Sequence, residues 1–332
     1  MKPITIVGGG LAGLTLGILL RREAVQVAVV EAGNYPRHRV CGEFLSGRGR
    51  EILSSIGIEE KLSGKLEARN CSFHLPNRRP VPIDLENPAL CVSRYNLDAV
   101  LADEFQAVGG ILKTGERVAD STSEGVVRAT GRRRSTDGKG KLFGLKAHAA
   151  DVALSSDLEM HFGDRHYVGI SRLPNAAFNV CGLFFSEQPV REGWKNVLEK
   201  SVFSECLRSA RWAENSFCSV AGLTLDREVP DDSFSIGDAA AMIPPLTGNG
   251  MSMAFESAEA ALPFVRKYAG GEISWAECLA AHNQNWRAQF SGRLRWASFV
   301  QRIIFRPAGQ SFLYAGARLF PGLPQFFFVH TR

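Results

Sequence analysis

Ile4-Thr5-Ile6-Val7-Gly8-Gly9-Gly10-Leu11-Ala12-Gly13 is the stretch whose reading decides the fold. Four residues with an apolar majority read as a short buried strand, and they run directly into glycines spaced G-x-G-x-x-G. Leu11 to Arg22 has helical composition and pattern, and Val25 to Val30 reads as a second buried strand that ends at Glu31. A glycine spacing alone is weak; strand, glycines, helix, strand and terminal acid in this order make a whole βαβ unit for a dinucleotide. Each part has a task. Gly8 permits the tight turn, Gly10 lets backbone approach a pyrophosphate, Gly13 lets helix pack on strand, and Glu31 can accept from ribose hydroxyls.

A second corner lies far along the chain. Phe234 to Ile236 reads as a strand end, Gly237-Asp238 as a tight exit, and Pro244-Pro245 as a rigid turn delivering Gly248-Asn249-Gly250 to a helix. On that helix Met251, Phe255, Ala258, Leu262 and Val265 share one face until Gly270-Gly271 stops it. A helix N-terminus behind a glycine turn offers unpaired N–H groups to electron-rich ligand atoms, and Asp238 stands where a carboxylate can accept from a polyol.

Composition bounds the rest. The chain has 332 residues, 45% hydrophobic, enough for a large core in two interleaved lobes. Its formal charge of +5 is concentrated at the end: Arg293, Arg295, Arg302, Arg306, Arg318 and Arg332 fall between 291 and 332 with no acid. The preceding residues are close to neutral, so there is no broad basic face for nucleic acid. Seven cysteines without a C-x-x-C pair indicate neither a disulfide framework nor a zinc site. Lys2 precedes an apolar stretch, but Arg21-Arg22-Glu23 stands where a small-residue cleavage site belongs, so a cytoplasmic location is expected.

Tyr35 to Ser46 is polar, basic and aperiodic, hence a loop, and it contains Arg39-Val40-Cys41-Gly42-Glu43. The βαβ unit, this R-x-C-G-E loop and the Gly237-Asp238-Ala239-Ala240 to Pro245-Leu246-Thr247-Gly248-Asn249-Gly250-Met251 box together resemble one family. It is the superfamily of FAD-dependent oxidoreductases that holds geranylgeranyl reductase and p-hydroxybenzoate hydroxylase, and the C-G-E loop is most similar to the reductase branch. The resemblance covers residues 1 to 290 and implies that the first unit binds the ADP part of FAD, through Gly8, Gly10, Leu11, Ala12, Gly13 and Glu31. It implies that Arg39 and Arg94, the latter in Val92-Ser93-Arg94-Tyr95-Asn96-Leu97-Asp98, reach the phosphate or ribityl region, and that Val118 passes the adenine by its backbone. The box then binds the ribityl chain and flavin ring, through Gly237, Asp238, Pro245, Gly248, Asn249, Gly250 and Met251. Cys41 and Glu43 are the candidate catalytic residues beside the flavin or substrate, against a plainer reading of Cys41 as packing and Glu43 as a partner of Arg39.

The implied fold is α/β: a Rossmann-like FAD-binding domain with an inserted antiparallel-sheet substrate domain and a helical C-terminal segment. The expected division is 1–70, 91–141 and 229–290 for FAD, 71–90 and 142–228 for substrate, and 291–332 for a basic, apolar tail. The proline-rich Asn70 to Cys91 suits edge strands or loops, Ala99 to Val108 a helix, Ile111 to Ala119 and Val126 to Gly131 strands, Trp194 to Ser209 and Ser274 to Ile304 helices. Arg132-Arg133-Arg134 reads as a solvated loop or an offset to phosphate charge. Phe312-Leu313-Tyr314, Leu319-Phe320 and Phe326-Phe327-Phe328-Val329 either cap the substrate cavity, the preferred reading, or touch an anionic membrane surface.

Two departures limit the resemblance. Thr130-Gly131 stands where the hydroxylases carry Asp-Gly, which weakens the expectation of NAD(P)H docking as it does there. Tyr167 is followed by Gly169, Ser171 and Arg172 rather than by the aromatic motifs Y-x-W-x-F-P of isoprenoid reductases or W-x-W-x-I-P of flavin halogenases. No Ser-His-Asp order, H-E-x-x-H or paired carboxylate spacing stands out, and no metal is expected, so the flavin supplies the chemistry. The leading expectation is hydride transfer between flavin and a small apolar or aromatic substrate, isoprenoid- or polyketide-like, with NAD(P)H as a candidate donor. Its alternatives are a single-component monooxygenase using NAD(P)H and O2 on an aromatic or lipophilic substrate, and a flavin- or lipid-binding protein whose redox chemistry has lapsed. All three predict that the purified chain carries flavin or takes it up on titration, seen in its visible spectrum; a colourless protein that binds none contradicts them together.

Overall fold

The structure is a computed structural model describing residues 1–119, 122–132, 141–187, 193–223, 232–320 and 322–323. Its elements in chain order are β1 (Ile4–Val7), α1 (Leu11–Arg22), β2 (Val27–Glu31), β3 (Phe44–Leu45), α2 (Arg48–Ser55), β4 (Leu66–His74), β5 (Val81–Cys91), α3 (Arg94–Ala107), β6 (Ile111–Thr114) and β7 (Val126–Arg128). There follow β8 (Lys141–Ala150), β9 (Leu158–Gly163), β10 (His166–Arg172), β11 (Phe178–Ser186), α4 (Trp194–Lys200), β12 (Arg211–Leu223), α5 (Gly250–Ala269), α6 (Trp275–Ile304) and α7 (Pro307–Leu319). Arg133, Arg134 and Phe326 to Val329 lie outside the described residues.

One sheet has the order β6-β2-β1-β7 and is wholly parallel, with Ile4 in register with Val27 and Val7 with Val30. A parallel bridge from Arg128 to Ser235 adds the strand end that precedes the Gly237 corner. Parallel strands covered on both faces read as apolar runs, and Ile4, Ile6, Val27 and Val29 are all buried. The turn between β1 and α1 is as tight as its glycines suggest. Gly8 has φ +111°, and a Cβ there would sit 2.2 Å from the Ala129 carbonyl oxygen; a Cβ on Gly13 would meet the Gly8 carbonyl at 2.0 Å. Leu14, Leu16 and Ile18 of α1 share one buried cluster with Phe105 of α3 and Phe255 and Val265 of α5.

The other sheet has eight strands in the order β12-β8-β11-β10-β9-β4-β5-β3. All neighbours are antiparallel apart from β4 and β9, which run parallel, so the sheet is mixed rather than purely antiparallel. Residues 70 to 91 do form strands, but β4 is an interior strand, paired on both sides. β5 carries the prolines, and its second neighbour is only the two-residue β3, which registers with Cys91 and Leu90; Pro82 and Pro88 therefore lie where no ladder bond is lost on that side. The sheet's α4 side packs Trp194 and Leu198 onto Val168, Val180 and Phe184.

Helix ends differ from the sequence-based expectation where side chains intervene. α3 starts at Arg94, not Ala99, because Ser93 caps it, its hydroxyl accepting from the Tyr95 N–H at 3.1 Å. α4 stops at Lys200, where the Ser201 hydroxyl donates back to the Val197 carbonyl at 2.7 Å. β6 ends at Thr114 and β7 at Arg128, both short of the expected runs. α6 matches the expected span, opened by a capping box between Ser274 and Glu277.

Buried His282 of α6 ties this helix to the strand before the Gly237 corner: its Nε2 donates to the Ser235 carbonyl at 2.9 Å and its ring stacks on Phe234 at 3.9 Å. Nδ1 has no partner among the described residues, so protonation would add a buried N–H with none of them to accept it. Burial lowers the His282 pKa to about 4, only partly opposed by the bond to Ser235. A histidine whose folded pKa lies below its unfolded 6.5 costs stability as pH falls from the unfolded to the folded value. We predict a loss on the order of 3 kcal/mol from His282 between these limits. Urea midpoints for wild type and His282→Gln at pH 7.5, 6, 5 and 4 check it; equal pH slopes in the two proteins would contradict it.

Candidate active site

A cavity of about 540 Å³ runs between the two sheets. At one end it meets Gly10, Leu11 and Ala12 at the start of α1. Gly10 caps this helix without a side-chain bond, and where its Cβ would stand there is open space. Backbone can therefore be approached closely at the positive end of a helix dipole.

Glu31 borders this end, its Oε2 accepting from the Gly9 N–H at 2.8 Å and its Oε1 from the Gly33 N–H at 2.9 Å and Arg37 Nη2 at 2.5 Å. Burial pushes its carboxyl up, but the Gly33 N–H and the Arg37 and Arg39 guanidiniums outweigh that and hold it below the usual carboxylate range. Tyr35 and Arg37 carry no motif in the sequence that marks them as part of this site. The Tyr35 hydroxyl donates to the Gly9 carbonyl at 2.5 Å, which braces the glycine turn from the loop side.

A buried aspartate organises the middle of the cavity. Asp98 accepts from Arg39 Nε at 2.8 Å on Oδ2, and from Arg94 Nε at 2.7 Å and Nη2 at 2.9 Å. Both arginines are thereby aimed at the cavity wall they help to form. Arg39 Nη2, 3.9 Å from Glu31 Oε2, is buried with no hydrogen-bond partner among the described residues. Across from it, Asp238 makes no side-chain hydrogen bond among the described residues; burial raises its pKa, against the pull of Arg132 and Arg94. A guanidinium N–H and a carboxylate without hydrogen-bond partners among the described residues, together with a bare glycine-lined helix start, are the complement of a ligand with phosphates and a polyol. The residues present fit FAD.

Gly237 has φ +59° and its N–H donates to Ser257 Oγ at 2.9 Å, fixing the corner to α5. Gly248 has φ +63°, and a Cβ there would lie 2.3 Å from the Phe44 ring. Pro245, Gly248, Gly250 and Met251 line the cavity beside Phe44, while Asn249 is buried at the cap of α5. Gly8 and Gly13 shape the turn behind the wall. Val118 stands apart, 40% exposed and away from the cavity lining.

The Cys41-Gly42-Glu43 loop is laid across the mixed sheet and held at every residue. Asn179 Nδ2 donates to the Cys41 carbonyl at 3.0 Å, Ser171 Oγ to the Gly42 carbonyl at 2.9 Å, and the Val92 N–H to the Glu43 carbonyl at 3.0 Å. Glu43 has φ +55°, a left-handed backbone unusual for its residue type, and its side chain is fully buried. Its Oε2 lies 2.6 Å from His148 Nε2; its Oε1 lies 3.3 Å from the fully buried Lys146 Nζ and accepts from the Arg94 N–H at 3.0 Å. Glu43 therefore does not pair with Arg39. Burial pushes its carboxyl up, but the His148 bond and the Lys146 charge reverse the direction and keep it ionised. Lys146 also reaches His38 Nδ1 at 3.1 Å. Burial raises the Cys41 thiol, partly offset by Arg94, so Cys41 is a neutral thiol on the cavity wall.

Beyond the corner the wall becomes apolar, with Phe73, Met160, Phe162, Tyr167, Leu183 and Met242. Leu313, Tyr314 and Ala317 of α7 close this end, so the C-terminal helix does cap the cavity. Nearby, His74, Glu159 and His161 converge, with His161 Nε2 3.2 Å from Glu159. His161 Nδ1 accepts the Phe203 N–H at 3.2 Å, so Nε2 carries the hydrogen and donates to Glu159; the cluster is a hydrogen-bonded brace and not a set of lone pairs facing a metal.

Residues 1–142 match the family described as FAD binding domain. Conditioned medium factor receptor 1 of Dictyostelium discoideum is 22% identical over 368 residues, covering 91% of this chain and 71% of that protein. Monooxygenase 1 of Arabidopsis thaliana is 27% identical over 119 residues, covering 35% of this chain and 30% of that one. In fold, the chain is similar to the flavin-dependent brominase Bmp2 at a TM-score of 0.79 and 17% identity, covering 99% of this chain and 92% of that one. It is similar also to a geranylgeranyl bacteriochlorophyll reductase-like protein of Thermoplasma acidophilum, at 0.77 and 16%, covering 99% and 91%. With a match to the FAD binding domain over residues 1–142 and this fold over nearly its whole length, the chain is an FAD-dependent oxidoreductase, a flavoprotein enzyme.

Proposed function

We propose that the enzyme transfers hydride between flavin and a small apolar or aromatic substrate, isoprenoid- or polyketide-like in character. The observation that carries this reading is the apolar half of the cavity, which begins where the Gly248 to Met251 corner ends. Bound flavin supplies the redox chemistry; the chain binds, orients and excludes water. In this reading Gly8, Gly10, Leu11, Ala12, Gly13 and Glu31 take the ADP part, Arg39 and Arg94 the phosphates, and Val118 the adenine edge. Gly237 and Asp238 take the ribityl chain, and Pro245, Gly248, Asn249, Gly250 and Met251 the ring. N–H groups at the start of α5 favour negative charge on the ring edge nearest them.

The division of labour is 1–70, 91–141 and 229–290 for cofactor, 71–90 and 142–228 for substrate, with β3 and the start of β4 lent to the substrate sheet, and 291–332 as the tail. The donor is NAD(P)H, the location cytoplasmic, and the tail touches a membrane surface. Cys41 stands beside the substrate, while Glu43 acts by holding the loop. A monooxygenase is the second reading, supported by the likeness of 35% of the chain to Monooxygenase 1. Thr130 in place of an acid speaks against it.

Two experiments decide. Anaerobic mixing with NADH or NADPH, with dithionite as control, should bleach the flavin, and an apolar acceptor should reoxidise it without O2. NADPH oxidation that requires O2 and yields stoichiometric hydroxylated product would overturn hydride transfer to substrate in favour of the second reading. Flavin reduction rates in Cys41→Ser and Glu43→Gln should fall, by about tenfold or more for Glu43→Gln; unchanged rates in both would remove these residues from the site.

A further inference from the structure

α7 is apolar on two opposite faces. Gln310, Leu313, Tyr314 and Ala317 recur at helical spacing and line the cavity. On the other side Ala308, Phe312, Ala315 and Leu319 recur at the same spacing and are all exposed, Phe312 by 73% and Leu319 by 74%; Phe320 just beyond is 67% exposed. A helix with one face in water ordinarily carries polar residues there. α6 largely does so, exposing Gln284, Arg287, Gln289, Arg295 and Arg302, with Phe299 as a single exposed large apolar side chain among its described residues. α7 has one charged residue, Arg318, at the border of its outer stripe.

The charges that the C-terminal segment itself carries have one sign. Arg302, Arg306 and Arg318 are exposed, and residues 291 to 332 contain no acid. Arg78, from the turn between β4 and β5, stacks on the Tyr314 ring at 4.7 Å and donates to Ser311 Oγ at 3.3 Å, placing another cation beside the helix. A second copy of the chain docked here about a two-fold axis would set these arginines against themselves. An anionic lipid surface meets both the apolar stripe and its basic border.

We propose that α7 lies in the surface of an anionic bilayer, its outer stripe among the acyl chains and its inner stripe forming the cavity wall, so that a lipophilic substrate enters from the membrane past this helix. The inference rests on the apolar-substrate reading for what enters, but not for the binding itself.

The test is co-sedimentation of the full-length, FAD-loaded protein with vesicles of phosphatidylcholine, alone or with phosphatidylglycerol. The wild type should partition into the phosphatidylglycerol vesicles at least about tenfold more strongly, with binding weakened by salt. The double variant Phe312→Ser/Leu319→Ser should lose binding while keeping flavin content and thermal midpoint, since both side chains are exposed. Arg306→Glu/Arg318→Glu should lose the preference for anionic lipid. Wild type left in the supernatant with both vesicles, or a serine variant that pellets like wild type, would overturn the proposal. So would a dimer in gel filtration that the serine variant converts to monomer, which would assign the stripe to a second copy. Vesicle binding intact in an enzyme that reduces no apolar acceptor would sink the substrate reading alone.

Discussion

The structure depends on the burial of one carboxylate. Glu43 and Lys146 are both fully buried, and moving each charge out of water costs several kcal/mol. That cost is offset because the carboxylate is surrounded by donors on both oxygens, from Lys146, His148 and the Arg94 backbone. The same contacts hold Glu43 in its left-handed backbone, which the residue would not adopt unaided. The loop from the first sheet is thus pinned to β8 of the second, and the gap the two sheets leave is the cavity.

The neighbouring charges follow from this pin. The Arg94 N–H that Glu43 accepts from belongs to the first residue of α3, whose cap is Ser93 and whose next turn supplies Asp98. Asp98 fixes Arg39 and Arg94, and Arg39 sits two residues before Cys41 on the pinned loop. A displaced loop would carry Arg39 away from the cavity and uncover Asp98. The positive cluster and the wall beside the Gly237 to Met251 corner are therefore one mechanical unit, which is how a site of mostly glycine and backbone can have a defined shape.

Much of this was legible in the sequence where the physics is local. β1, α1 and β2 showed because strands buried on both faces and a glycine turn leave short-range patterns, and α6 because a capping box and helical spacing mark it from Ser274 to Ile304. The Gly237 to Met251 corner showed for the same reason, its left-handed glycines being the residues such turns require. Lys146 and His148 did not show, because their meaning lies in a partner more than 100 residues away. Alternation in β8 hides a buried lysine among Leu145, Ala147 and Ala149, and only the assembled sheet reveals what it faces. The interior place of β4, parallel to β9, was hidden likewise, since proline content speaks about one edge of a strand pair and not about the other. In the sequence, helix α7 shows only as apolar patches, because its two-sided character is a property of the assembled helix.

The most direct measurement is a double-mutant cycle on FAD affinity with Lys146→Met, Glu43→Gln and the pair together. If the buried ion pair holds the loop and the loop holds the site, each single change weakens FAD binding by about tenfold or more, and the double variant is no weaker than the worse single. Affinities equal to wild type, or effects that simply add, would contradict the account.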